Sequence, residues 1–171
     1  MIYYVVLVSA VALERLAELV VSRRNLAWLR GHGGIESGAG HYPVMVALHV
    51  GLLVGCLVEA AALDRPFEPL LGWSMFAAVL GSQALRWWCI GCLGHRWNTR
   101  VVIVPGLPLV SSGPYRWFRH PNYLAVVIEG AALPLVRSAW IVAVAFTVLN
   151  AMLLSRRLHV ENVALASSAT A

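Results

Sequence analysis

The run Tyr42-Pro43-Val44-Met45-Val46-Ala47-Leu48-His49-Val50-Gly51-Leu52-Leu53-Val54-Gly55-Cys56-Leu57-Val58-Glu59-Ala60-Ala61-Ala62-Leu63 carries one formal charge, Glu59. A helix that crosses bilayer hydrocarbon needs about 20 mostly apolar residues, because inside lipid the backbone polar groups must pair within the segment itself. The same texture returns at Ile2–Val21, Leu70–Leu93 and Ala139–Ser155, with a shorter arm at Asn122–Val136. Across all 171 residues the chain is 60% hydrophobic and 12% charged, where a soluble domain carries roughly 25% charged residues. Mean hydropathy is +0.73. These values exclude an ordinary soluble domain. They predict an all-α integral membrane bundle of about five transmembrane helices. The opening run has no basic leader and no small-residue cleavage site, so it reads as a retained span.

One membrane domain over residues 1–171 is expected, with three N-terminal spans in 1–93. A loop, a helical hairpin and a C-terminal segment fill 94–165, and a frayed tail closes the chain at 166–171. Gly31 to Gly40 reads as a flexible loop and Asp64 to Pro69 as a tight polar turn. All 13 basic residues are Arg. Arg23, Arg24, Arg30, Arg96, Arg100, Arg116, Arg119, Arg156 and Arg157 fall on one side of this arrangement, and only Arg65 and Arg137 on the other. The positive-inside rule then places the N-terminus outside and the central loop and C-terminus in the cytoplasm. The arm Asn122–Val136 is about 22 Å long at 1.5 Å per residue. It forms a tight hairpin with the last span, turning at Pro134 and Arg137-Ser138. The isoelectric point of 9.6 follows from these topological Arg residues, so no nucleic-acid partner is expected. Cys56, Cys89 and Cys92 read as buried free thiols. His32, His41, His49 and His95 share no ligand spacing, so no metal site is expected.

Ser112-Gly113-Pro114-Tyr115-Arg116-Trp117-Phe118-Arg119-His120-Pro121-Asn122-Tyr123 sets two Arg, a His and two Tyr at the edge of apolar runs. Such groups are costly there and mark a site by default. Pro121 opens a helix whose N-terminus suits a carboxylate or phosphate, beside Arg119 and His120. The competing reading is an aromatic-Arg belt at headgroup depth. Asn150, Leu154, Arg157 and Glu161 stack on one helical face by their spacing. That face either lines a cavity or carries an Arg157–Glu161 pair. Glu129 and Arg86 are isolated intramembrane charges and functional candidates, whereas Glu59 and the Glu14, Arg15, Glu18 group suit structural pairing. Phosphate-loop, dinucleotide-binding, nucleophile-elbow and HExxH motifs are all missing from the sequence.

Gly113-Pro114-Tyr115-x-x-x-Arg119-His120-Pro121-x-Tyr123, followed by a hairpin and by Arg157-x-x-x-Glu161, resembles the isoprenylcysteine carboxyl methyltransferase family over about Leu93 to Leu165. Trp97 to Val102 is similar to that family's approach to the motif. The short build resembles the bacterial branch of alkylpyrone and alkylresorcinol O-methyltransferases associated with type III polyketide synthases. The resemblance implies an S-adenosylmethionine-dependent enzyme that O-methylates a lipophilic acidic acceptor, a carboxylate, enol or phenol arriving from the bilayer. It implies cofactor contacts from Leu107, Pro108, Leu109, Val110, Tyr115, His120, Pro121, Asn122, Tyr123 and Glu161. Arg157 would face the acceptor. Asn150, on the same helical face by its spacing, is a further candidate acceptor contact, and Glu129, as an intramembrane carboxylate, is the candidate base for a phenol. Ile103 departs from eukaryotic members, which carry Gln there. The implied location is the bacterial inner membrane with the site facing the cytoplasm. A phospholipid-type N-methyltransferase, a sterol-reductase-like protein and a non-catalytic membrane subunit are the alternatives.

Overall fold

A computed structural model describes residues 1–169, with side chains to residue 165. Five helices run in the order α1 (Ile2–Gly31), α2 (His41–Ala62), α3 (Pro69–Leu93), α4 (Pro121–Leu135) and α5 (Trp140–Ala169). The all-α expectation holds, and this is an integral membrane protein. Three of the helices, α2, α3 and α5, are long and apolar enough to cross a membrane. Helix α1 has the length but carries Glu14, Arg15 and Glu18 within its apolar stretch. Helix α4, at 15 residues, is shorter than a bilayer core of ~30 Å requires.

Two helices overrun their expected ends. Helix α1 continues ten residues past Val21, because Ser22 to Arg30 are tolerated or favoured in helices. Its end is a Schellman arrangement: Gly33 N–H donates to Arg30 O at 3.2 Å and Gly34 N–H to Leu29 O at 2.8 Å. Gly33 supplies the positive φ of 79° that this cap needs. Helix α5 passes Ser155 and continues helical to Ala169. The expected fraying of 166–171 therefore falls on residues whose side chains, and for 170–171 whose backbone, lie outside the described residues.

The stretch expected to be a flexible loop contains a strand instead. β1 (Ile35–Ser37) pairs antiparallel with β2 (Val101–Ile103), matching Ile35 to Ile103 and Ser37 to Val101. The β-branched residues of β2 favour this conformation, but the partner lies far away in sequence, so no local pattern announces the pairing. Glu36 reinforces the ribbon by accepting from Arg100 at 2.6 Å.

The core sits at the end of the bundle away from the ribbon. Tyr4, Val8, Val11, Leu52, Cys56, Val79, Leu133, Val136 and Phe146 pack together there. The Tyr4 hydroxyl donates to the Leu133 carbonyl at 3.1 Å, tying the start of α1 to the end of α4. At the same end, Glu59 on α2 reaches the first turn of α5. It accepts from the N–H groups of Ile141 at 3.2 Å and Val142 at 2.8 Å, two of the four donors that a helix start leaves unpaired. Arg65 pairs with the same carboxylate at 2.8 Å.

Gly130 lets α4 and α5 approach, since a Cβ there would overlap the Phe146 ring. Phe146 is only 4% exposed and has nowhere to retreat. Gly130→Ala should therefore destabilise the hairpin by about 1–3 kcal/mol, the usual range for overpacking. Thermal unfolding in detergent should show a lower midpoint, and an unchanged midpoint would contradict this packing.

Candidate active site

Two polar residues on the extended part of α1 fix the loop that follows α3. Asn25 donates to the carbonyls of Gly94 at 3.0 Å and Trp97 at 2.7 Å. Ser22 meets Asn98 at 3.1 Å and the Thr99 hydroxyl at 2.8 Å. The loop next forms β2 and then a short 3-10 turn, Gly113–Arg116. Gly113 has a φ of 57°, and a Cβ on it would run into Cys92 and Trp88 of α3. Only glycine lets the turn lie this close. Tyr115 is thereby set beside Cys89, and burial, reinforced by that thiol, pushes its phenol above the ordinary tyrosine range.

Beyond the turn, His120 immediately precedes α4, and Pro121 fills the first helical position. One turn of helix brings the Tyr123 ring over His120, with centroids 5.5 Å apart and planes 21° from parallel. Both face Glu161 on α5: the Tyr123 hydroxyl donates to Oε2 at 2.5 Å, and His120 Nδ1 lies 3.5 Å from Oε1. Glu161 is thus committed across helices, and the Arg157–Glu161 pair weighed from spacing does not form. Arg157 turns the other way, donating to the Thr99 carbonyl at 2.8 Å and to the Met45 sulfur. Its guanidinium stands 5.8 Å from the centre of the Tyr123 ring. No carboxylate pairs with it among the described residues, although it is only 9% exposed.

These groups open onto one cavity of about 430 Å³. Of the residues expected from sequence, Tyr115, His120, Asn122, Tyr123, Asn150, Arg157 and Glu161 line it. Leu107, Pro108, Leu109, Val110 and Pro121 do not. Leu109 is 72% exposed on a surface loop, where the Pro108 carbonyl accepts from Arg96 at 2.6 Å. Pro121 is buried and shapes the helix start. Leu16 on α1 and Val50 on α2 belong to the wall yet remain 58% and 54% exposed, so the cavity has an apolar rim between these two helices.

Deeper in the bundle lies a quartet of buried charges. Glu129 Oε2 accepts from Arg15 at 2.5 Å and from Arg86 at 2.7 Å. Arg15 also pairs with Glu18 at 2.6 Å, the i,i+3 pair expected from sequence, and donates to Gln83 at 3.1 Å. Arg86 Nε stands 3.5 Å from Glu18 Oε1. Arg15, Glu18 and Arg86 reach the cavity wall, whereas Glu129 stays behind them. At 1.5 Å per residue, Arg15 lies about 10 Å below Ser22 along α1, and Glu129 about 9 Å below Tyr123 along α4. The cavity therefore has a polar mouth and an ionic floor.

Residues 74–167 match the model of the isoprenylcysteine carboxyl methyltransferase (ICMT) family. The chain belongs to this family. A protein of Bacillus subtilis (strain 168), the uncharacterized protein YpbQ, is 36% identical over 160 residues, covering 93% of this chain and 94% of the relative. Membership makes the protein a membrane methyltransferase of the S-adenosylmethionine-dependent kind. The family region contains the mouth residues on α4 and α5. The partners that complete the cavity from outside it, Met45, His49, Arg15 and Glu18, carried no readable motif. Arg86 and Glu129 stood out only as lone charges, and their pairing with α1 was invisible in one dimension.

Because Glu129 anchors two buried guanidinium groups, Glu129→Gln leaves them underneutralised. Removing one partner of a buried pair costs about 3–5 kcal/mol. The variant should show a clearly lowered melting midpoint in detergent. A midpoint equal to wild type, with loss of activity alone, would instead mark Glu129 as a base.

Proposed function

We propose that the protein O-methylates a lipophilic acceptor bearing an acidic oxygen, at the cytoplasmic face of a bacterial membrane. The observation that carries this reading is Arg157, a buried guanidinium facing the cavity that donates to a carbonyl and a thioether and pairs with no carboxylate among the described residues. A buried cation without a counter-charge is costly, and an oxyanion entering the cavity would supply one. Arg157 thereby favours the ionised form of the acceptor oxygen. The apolar rim at Leu16 and Val50 suits an acceptor that arrives from the bilayer, such as the alkylpyrone or alkylresorcinol products of a type III polyketide synthase.

The mouth fits a cofactor with charged and aromatic parts. His120 Nε2, Asn122 Oδ1, Trp97 Nε1 and Arg157 Nε are buried there without hydrogen-bond partners, and polar groups in that state call for a polar ligand. Glu161 would meet the cofactor's cationic groups, while the stacked rings of His120 and Tyr123 offer a flat surface. Asn122 and Tyr115 complete that half. S-adenosylmethionine, when bound, supplies an electrophilic methyl group. The chain contributes orientation and walls that keep water from the reacting groups. Asn150, on the Arg157 face of α5, would contact the acceptor.

His120→Ala and Tyr123→Ala should each weaken S-adenosylmethionine binding about tenfold or more, read by calorimetry in detergent. Arg157→Ala should bind the cofactor normally but fail to label native lipid extract from methyl-labelled S-adenosylmethionine. If Arg157→Ala loses the cofactor and keeps transfer once saturated, the two halves of the site are assigned the wrong way round.

A further inference from the structure

The cavity wall holds a titratable side chain that neither the cofactor half nor Arg157 employs. His49 stands on α2 one helical turn below Met45, the residue that Arg157 touches. Its Nδ1 lies 2.8 Å from the Met45 carbonyl oxygen. A carbonyl only accepts, so in the neutral ring Nδ1 carries the hydrogen and Nε2 keeps its lone pair. No described residue donates to Nε2. Phe146 packs edge-on to the ring at 5.5 Å and 87°, which holds its plane. Asn150 lines the same cavity from α5, 4% exposed and without a side-chain hydrogen bond among the described residues. Helices α2 and α5 pack directly on one another.

The other bases near the floor are already engaged. Glu129 accepts from two guanidinium groups and lies behind the wall. Glu18 is paired with Arg15 through one oxygen and faces Arg86 with the other. A proton placed on either carboxylate would break an ion pair and strand a buried guanidinium. His49 carries no such partner. The charged groups acting on it are Arg15 from α1, Arg86 from α3 and Glu129 from α4, and they belong to the internally balanced quartet.

We infer that His49 Nε2 is the proton acceptor for a hydroxyl on the lipid acceptor, with the Asn150 amide donating to the same oxygen. This rests on the methyl-transfer reading above. The O–H bond breaks, its electron pair stays on oxygen, and the proton resides on Nε2. An oxyanion and an imidazolium result, and Arg157, one turn nearer the mouth, faces the new negative charge. The arrangement selects a phenol, or an enol weak enough to keep its proton near neutral pH. A carboxylic acid, with an ordinary pKa near ~4, arrives already ionised and has no proton for His49 to take.

The test uses the full chain in detergent and a 4-nitrophenol bearing an alkyl chain, whose phenolate has its own visible absorption. At a pH where the free probe is mostly protonated, wild type should bind it as phenolate. His49→Gln should bind it with at least a tenfold smaller phenolate band, and His49→Ala should regain the band on addition of imidazole. Calorimetric S-adenosylmethionine affinity should stay within twofold in both variants, which verifies their folding. Methyl transfer to a phenolic lipid should fall about 100-fold or more in His49→Gln, the lower end of general-base effects. Equal phenolate bands in wild type and His49→Gln overturn the proposal. Wild type that ionises the probe through His49 but methylates no lipid removes the methyl-transfer reading and leaves the base standing. Equal methylation by wild type and His49→Gln removes the base alone.

Discussion

The quartet of Arg15, Glu18, Arg86 and Glu129 is the constraint from which the rest of the arrangement follows. Each of these groups alone in a low-dielectric interior would carry a prohibitive desolvation cost, and only close mutual pairing offsets it. The four residues come from α1, α3 and α4, with two positive and two negative charges. No one of these helices can slide or rotate without stranding a charge. With α1 locked in register, Ser22 and Asn25 necessarily meet the Gly94–Thr99 loop. That loop then presents the Thr99 carbonyl to Arg157. An ionic contact deep in the bundle thus decides where a guanidinium points about two helical turns above it.

The bundle divides its labour along its axis. At the far end apolar side chains interdigitate, and Tyr4 and Glu59 satisfy backbone groups at helix ends. At the near end the helices are held by hydrogen bonds, by the short ribbon and by glycine-permitted contact at Gly113. Close packing at one end and polar bridging at the other leave space that all five helices and the loop after α3 line, and that space is the cavity. Its walls change character from aromatic and cationic at the mouth to ionic at the floor, with apolar side chains between.

Much of this was legible in one dimension. Apolar run length revealed the helices, because lipid leaves the backbone few options. Pro121 and the spacing of Asn150, Arg157 and Glu161 revealed two faces of the mouth, because a helix start and a helical period are local properties. What stayed hidden depends on pairing across long sequence separations. The Ile35–Ile103 ribbon, the Arg15–Glu129 bridge and the Met45–Arg157 contact have no local signature. Arg157 and Glu161 are the instructive case. Their spacing allows a pair within the helix, but Tyr123 and Thr99 offer each a better partner in three dimensions. Leu107 to Val110, which the family resemblance implied as cofactor contacts, lie on a surface loop outside the cavity wall.

Glu59 has a role reaching well beyond the helix start that it caps. Arg157 lies seventeen residues from Trp140 on an unbroken α5, about 26 Å away at 1.5 Å per residue. A rigid helix transmits any shift at one end to the other. The carboxylate at the far side of the bundle therefore acts as a bearing for a lever whose other tip is the cavity mouth. Damage to that bearing would look like a subtle defect in chemistry, arising at the opposite surface of the membrane domain from a residue that never meets a substrate.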